Sequence, residues 1–172
     1  MNIKLLATFI LAVLVTGCTT PPLTLNYAPT STMTVEGEMS VGDFRYIPGE
    51  TETIKPNQIK NTAMGSIIFE KNIDQYIETA VFTESRFVGI KLQDTATQVT
   101  GEINEFLIDD LGFSVDWTLD IRYMVDGCYD KTHRIEKTTG KFVNVFGSLN
   151  EVIKLNIEML FEDSQFKSCI KI

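Results

Sequence analysis

Few side chains in this sequence combine type and spacing in a way that could do chemistry. The one histidine, His133, stands between Thr132 and Arg134. A structural metal site built from His and Cys needs about four ligands, and His133 with the two cysteines outside the N-terminal segment falls short of that. A solvated strand histidine is the reading set against a ligand. The pair Asp109-Asp110 precedes Leu111-Gly112. Neighbouring carboxylates do acid–base work when their environments push their pKa values apart. The competing reading is a tight turn, where Asp and Gly serve backbone geometry. Gly37, Gly42 and Gly49 are scattered rather than set between a strand and a helix, as a phosphate loop requires. No serine sits in a nucleophile elbow. These patterns lead to no catalytic residue, no metal ligands and no cofactor. What is left is cysteine, at positions 18, 128 and 169.

Cys18 ends an N-terminal pattern. Residues 1–4 carry one positive charge at Lys4, and residues 5–15 are apolar apart from Thr8. A bilayer span takes about 20 apolar residues, so this run is too short; a charged head and an apolar body of this length make a secretory signal. Val15-Thr16-Gly17-Cys18 closes it. The closing tetrad resembles the lipobox of bacterial lipoproteins, with Val15 where Leu is commoner. An ordinary signal peptide with an incidental cysteine is the alternative. The resemblance implies cleavage after Gly17 and several fatty acyl chains, palmitate among them, on Cys18. The membrane is then a partner through that lipid, since one chain alone binds only marginally. Thr19, where Asp would retain the protein at the inner membrane, implies the periplasmic face of a Gram-negative outer membrane.

Removal of residues 1–17 from the 172 leaves 155, one ordinary domain. It also removes Lys4, leaving 14 basic against 23 acidic residues. Such a chain is a poor partner for nucleic acid, whose affinity comes mostly from Lys and Arg on phosphates. With Cys18 lipidated, Cys128 and Cys169 form an even pair, which in an oxidising compartment suggests a disulfide. It would close a loop of about 42 residues, stabilising by about 4 kcal/mol in the chain-entropy account. Two unpaired thiols stay open as the alternative, because sequence does not show how close their Cα atoms come.

The elements that must position these residues follow from periodicity. Residues 19–32 are polar and Pro-bearing and read as a tether of at most about 43 Å. Residues 35–47 have β character, residues 48–65 read as a long mobile loop, and residues 66–69 as a short strand or helix lead-in. Asn72 and Gln75 make a capping-box pattern before a helix over 73–87 that Gly89 stops. Residues 90–93 predict a strand. In residues 99–108 the alternation slips near Asn104-Glu105, as a β-bulge would make it. Residues 113–125 alternate: Phe113, Val115, Trp117, Leu119, Ile121, Tyr123 and Val125 on one face, with Asp116 and Asp120 on the wet one. A three-residue loop, 126–128, then sets Tyr129 and Ile135 against the apolar face. Ser148-Leu-Asn-Glu151 predicts a second capping box and a helix to about residue 162.

In this layout Asp43-x-Arg45, residues 99–106, Asp120-Ile121, Gly127, Gly140-x-Phe142 and Asp163-x-x-Phe166 resemble the YajG-like lipoproteins of Gram-negative bacteria. The resemblance implies an α+β layer similar to the N-terminal domain of TolB-type envelope proteins and to some lipoprotein activators of wall synthases. The expectation is therefore a signal peptide at 1–17, a lipidated N-terminus and flexible tether at 18–33, and one periplasmic two-layer α+β domain at 34–172. Its antiparallel or mixed sheet would have about 4–5 strands with two helices on one face. The role expected is a non-enzymatic structural, adaptor or assembly factor with an envelope protein partner. A small-ligand or lipid binder with a pocket between helix and sheet is the alternative, and an enzyme the third option.

Overall fold

The computed structural model describes residues 22–51, 54–62, 67–140 and 144–170. The signal segment, Cys18 and the first residues of the expected tether lie outside them. Among the described residues no helix is long and apolar enough to cross a membrane.

Seven strands and four helices follow one another as β1 (Glu38–Tyr46), α1 (Ile47–Glu50), β2 (Gln58–Asn61), β3 (Ile67–Ile68), α2 (Ile73–Phe87), β4 (Lys91–Leu92), β5 (Gln98–Asp110), β6 (Ser114–Val125), β7 (Tyr129–Gly140), α3 (Val145–Glu162) and α4 (Ser164–Cys169). The class is mixed α+β with a mixed sheet, so the expected four to five strands and two helices are corrected to seven and four among the described residues. The undercount has a physical reason. The extra strands β2 and β3 are four and two residues long, too short to show a period, whereas β4 answers the strand predicted at residues 90–93. The segment 48–65, expected as a loop, carries α1 and β2.

β5 organises the sheet. Along one edge it pairs antiparallel with β6 over its whole length, and β6 pairs antiparallel with β7. Along the other edge it pairs parallel with β1 through residues 98–103 and parallel with β2 through Leu107 and Ile108. β4 lies beyond β1 and β3 beyond β2. Between Ile103 and Glu105 the β5–β6 register shifts, which is the bulge that the broken alternation predicts. Val99 and Ile103 before it and Phe106 and Ile108 after it are all buried. The loop 126–128 pairs Val125 with Tyr129, the three-residue hairpin of the sequence reading.

α2 packs against β1, α3 against β6 and β7, and the two helices touch. Between them lie Ile77, Ala80, Val81, Ile103, Ile121 and Tyr123, all fully buried. α2 has the predicted bounds, but the Asn72 side chain makes no capping bond; Asp74 accepts from the Gln75 N–H at 2.6 Å. α3 begins three residues before the predicted capping box. Asn144 caps it by accepting from the Phe146 N–H at 3.1 Å, and Ser148 is buried inside the helix. Phe113, expected on the buried face, precedes β6 and is 95% exposed.

β1 and β5 approach closely at the Phe44–Gly101 pair. The Phe44 ring occupies the space a Cβ on Gly101 would need and meets Tyr123 edge-on at 6.1 Å. Gly101→Ala is therefore expected to push Phe44 out of its rotamer and to cost about 1–3 kcal/mol, as overpacked cores do. An unchanged urea midpoint would contradict this.

Candidate functional site

The sequence-predicted site residues fall in separate places. Cys18 lies outside the described residues. Cys128 and Cys169 are joined by a disulfide, with their Cα atoms 5.9 Å apart, binding the β6–β7 loop to the end of α4. Gln165 adds a hydrogen bond from its Nε2 to the Cys128 carbonyl at 2.8 Å. Asp110 serves backbone geometry. Asp110 accepts from the Gly112 N–H at 2.6 Å, and the Leu111 N–H bonds Ser114 O across the turn at 3.0 Å, with Gly112 at φ +92°. Asp109 accepts from the Thr62 hydroxyl. Asp116 accepts from the Thr138 hydroxyl at 2.6 Å.

Asp120 belongs to a ladder of charge on the outer side of the sheet. Glu50, Arg45, Glu102, Arg122 and Asp130 form one continuous chain of ion pairs across β1, β5, β6 and β7. Arg134 gathers Glu105, Asp120 and Glu136. The arginines are 41–56% exposed, so each pair adds little stability by itself. Within this network six carboxylates meet three guanidinium groups, so it is solvated and carries net negative charge.

His133 is a correction. It is buried at 8% exposure, because its register opposite Ile121 turns it toward α3. Its Nε2 lies 2.6 Å from the Tyr129 hydroxyl, which also donates to Asp163 at 3.2 Å. Lys131 pairs with the same carboxylate at 2.9 Å. Asn156 of α3 reaches into the sheet, donating to His133 O at 2.8 Å and Leu119 O at 3.2 Å while accepting from the Tyr123 hydroxyl at 2.9 Å. Burial lowers the His133 pKa below 6.5, against an upward pull from Asp163 and with a further downward push from Lys131. Burial would raise Asp163, but Lys131, the Gln165 and Phe166 N–H groups and Tyr129 outweigh it and hold the carboxyl at about 2. Asp163 thereby caps α4 and fastens β7 at once.

Sequence reasoning missed a second polar site. The segment 22–36, whose first part was expected as free tether, is laid along the domain. Its odd residues Leu23, Leu25, Tyr27, Pro29, Ser31, Met33 and Val35 turn inward and its even residues outward. Leu23 bonds the β3 segment on both backbone groups: its N–H to Ile68 O at 2.9 Å and its carbonyl to the Glu70 N–H at 3.1 Å. Asn150 of α3 holds Ala28 by the same two kinds of group, at 3.1 and 2.8 Å. The centre of this strap is Glu84 of α2, fully buried. One carboxylate oxygen accepts from the Tyr27 hydroxyl and the other from the Ser31 N–H, each at 2.8 Å. Burial, and then Glu84 itself, push the Tyr27 phenol far above its usual range. The signal was present as the alternation of 23, 25, 27, 33 and 35, hidden by the threonines and prolines between them.

Glu84→Ala orphans both donors and is expected to cost about 2–4 kcal/mol. Hydrogen exchange at the Ser31 amide should accelerate with it; exchange as slow as in the parent would refute the latch. His133 sets a pH dependence. Its folded pKa lies below that of the unfolded chain, so the unfolded state takes up the proton first and stability falls as pH drops through 6.5. Asp163 contributes a separate loss only below its ordinary 3.8. Denaturation between pH 7.5 and 5.5 should show the slope, and His133→Gln should flatten it.

The sequence matches no family model and no curated protein. Eight chains of solved structures match it. One is protein XCC0632 from Xanthomonas campestris, of family-model DUF330. It superposes with a TM-score of 0.57 at 10% identity, over 87% of this chain and 94% of that one. Another, titled an uncharacterized protein, gives a TM-score of 0.42 at 9% identity, over 81% of this chain and 94% of that one. The likeness to XCC0632 is one of fold, and it is to an uncharacterised bacterial protein.

Proposed function

We propose that the protein is a lipid-anchored envelope protein, YajG-like, on the periplasmic face of the outer membrane, where it acts without catalysis as an adaptor or assembly factor. The observation that carries the reading is the junction between Val15-Thr16-Gly17-Cys18 and a chain held to the domain from Leu23 onward. The domain's own packing begins within five residues of the cysteine that would carry the lipid. The Cys128–Cys169 disulfide supports an oxidising compartment. Leu111 at 56% and Phe113 at 95% exposure stand at the β5–β6 turn, a costly place for apolar side chains unless a partner covers them. The helix–sheet interface, where a small-ligand or lipid-binding reading needs a cavity, is filled by side chains at zero exposure. The adaptor reading is therefore preferred.

Two measurements test it. Intact mass of the membrane-purified protein is expected to show loss of residues 1–17 and added acyl mass on Cys18, with Cys18→Ser leaving an unprocessed, unacylated chain. Mature protein without acyl chains overturns the anchor. In-cell photo-crosslinking from position 113 is expected to capture one envelope protein in a discrete complex. No adduct at 113, with intact envelopes in a deletion strain, overturns the adaptor role.

A further inference from the structure

The strap fixes where the chain leaves the domain. From this we infer that the β3 edge of the sheet, with Leu23, Asn26, Lys55 and Lys71, is the surface that rests on the phospholipid headgroups. The inference depends on the lipid-anchor reading and deepens it into an orientation. Leu23 is held to β3 through both backbone groups, and Cys18 stands five residues before it. Five residues span at most about 18 Å. A domain of about 150 residues has a radius of gyration of about 15 Å and is about 38 Å across. The leash is shorter than the domain is wide, so the far side cannot come down to the bilayer that holds Cys18. A chain free to residue 33 would reach about 50 Å and let any face approach. The latch at Glu84, and the bond pair at Leu23, remove that freedom.

The opposite side is the β7 edge. It stands four strand steps from β3 through β2, β5 and β6, about 19 Å across the sheet. The chemistry of the near side fits a lipid surface. Lys55 is brought beside Lys71 by the Ile73 N–H bond to Pro56 O and the Phe69 N–H bond to Asn57 O. Lys55, Glu70 and Lys71 are exposed, and Asp74 follows in the first turn of α2. Their charges cancel in a chain of net −8, so anionic headgroups do not repel this side as they would the chain as a whole.

The test uses full-length acylated protein in vesicles of phosphatidylethanolamine and phosphatidylglycerol. Benzoylphenylalanine replaces Lys71 in one preparation and Glu136 of β7 in another, and lipid adducts are counted by mass spectrometry after illumination. Lys71 is expected to give at least about tenfold more lipid adduct, because the headgroup layer is only a few ångströms deep. Equal adducts, an excess at Glu136, or none at either position in protein that floats with the vesicles overturn the inference. Missing acyl mass or failure to float overturns the anchor reading instead. An insertion of about twelve Gly/Ser residues after Thr20 lengthens the leash; it should preserve flotation and erase the preference. A preference that survives it overturns the leash as the cause.

Discussion

A carboxyl group shut away from water must find its hydrogen-bond donors inside the protein, and Glu84 finds two of them in one stretch of chain. The Tyr27 hydroxyl and the Ser31 N–H fill its two oxygens. Neither donor belongs to α2 or to the sheet. Helix α2 therefore closes over the core with this group satisfied only when the strap is in place, and residues 22–36 become part of the fold rather than a lead to it. The alternation along the strap follows from the same constraint. Tyr27 and Ser31 must face the helix, so every second residue does, and Leu23 and Val35 are carried inward at its two ends. Val35 donates to Val88 O at the end of α2, while Leu23 reaches β3. The strap thus spans the length of the helix it latches.

The sheet answers to a different constraint. β5 has to serve β6 on one edge and two short partners, β1 and β2, on the other. A strand with one unbroken alternation would turn either its first or its second half of apolar residues to solvent. The extra residue between Ile103 and Glu105 resets the parity, so that Val99, Ile103, Phe106 and Ile108 are all buried. This much was legible in the sequence, as were helix α2, the 126–128 loop and the apolar face of α3, because long elements repeat their period many times. The strand predicted at residues 90–93 is β4, and β3 is one of the two readings of residues 66–69, but β2 was not legible. In Gln58-Ile59-Lys60-Asn61 only Ile59 is apolar, and its burial comes wholly from neighbours supplied by distant parts of the chain.

His133 and the strap are misread because local composition was weighed above register, and Phe113 because alternation was carried past the end of its strand. His133 was read from Thr132 and Arg134 beside it, yet the hairpin that turns Tyr129 and Ile135 inward turns residue 133 inward as well. Phe113 has the parity of the core face but stands before β6 begins, past a glycine at φ +92°, where parity no longer governs direction. The strap was read from its threonines and prolines rather than from its odd positions. In the candidate site, the Asp109-Asp110 pair was legible as a turn, since the need of Asp and Gly for that backbone is local. The networks around Glu84 and His133 were not, since each joins residues from segments far apart in sequence.

The two ends of the described chain are closed by different chemistry, and this decides which end yields to which change. The N-terminal strap is held by hydrogen bonds to the buried Glu84 carboxylate, Asn150, the β3 segment and Val88 O. The C-terminal helix α4 is held covalently, by Cys169 to the β6–β7 loop. Its following residue, Ile170, accepts from the Glu38 N–H at 2.7 Å and fills the space over Gly37. Strands β1, β5, β6 and β7, the disulfide and α4 therefore form a closed ring at one end of the sheet. Opening the disulfide removes one link of that ring, leaving Asp163 with its hold on Lys131 and Tyr129 and the core beneath α3 intact. It leaves the Glu84 latch, on the α2 side, untouched. Because the strap joins the domain at α2 and β3 and not through the ring, its hold on the domain and the stability of the C-terminal closure are separate properties of the fold.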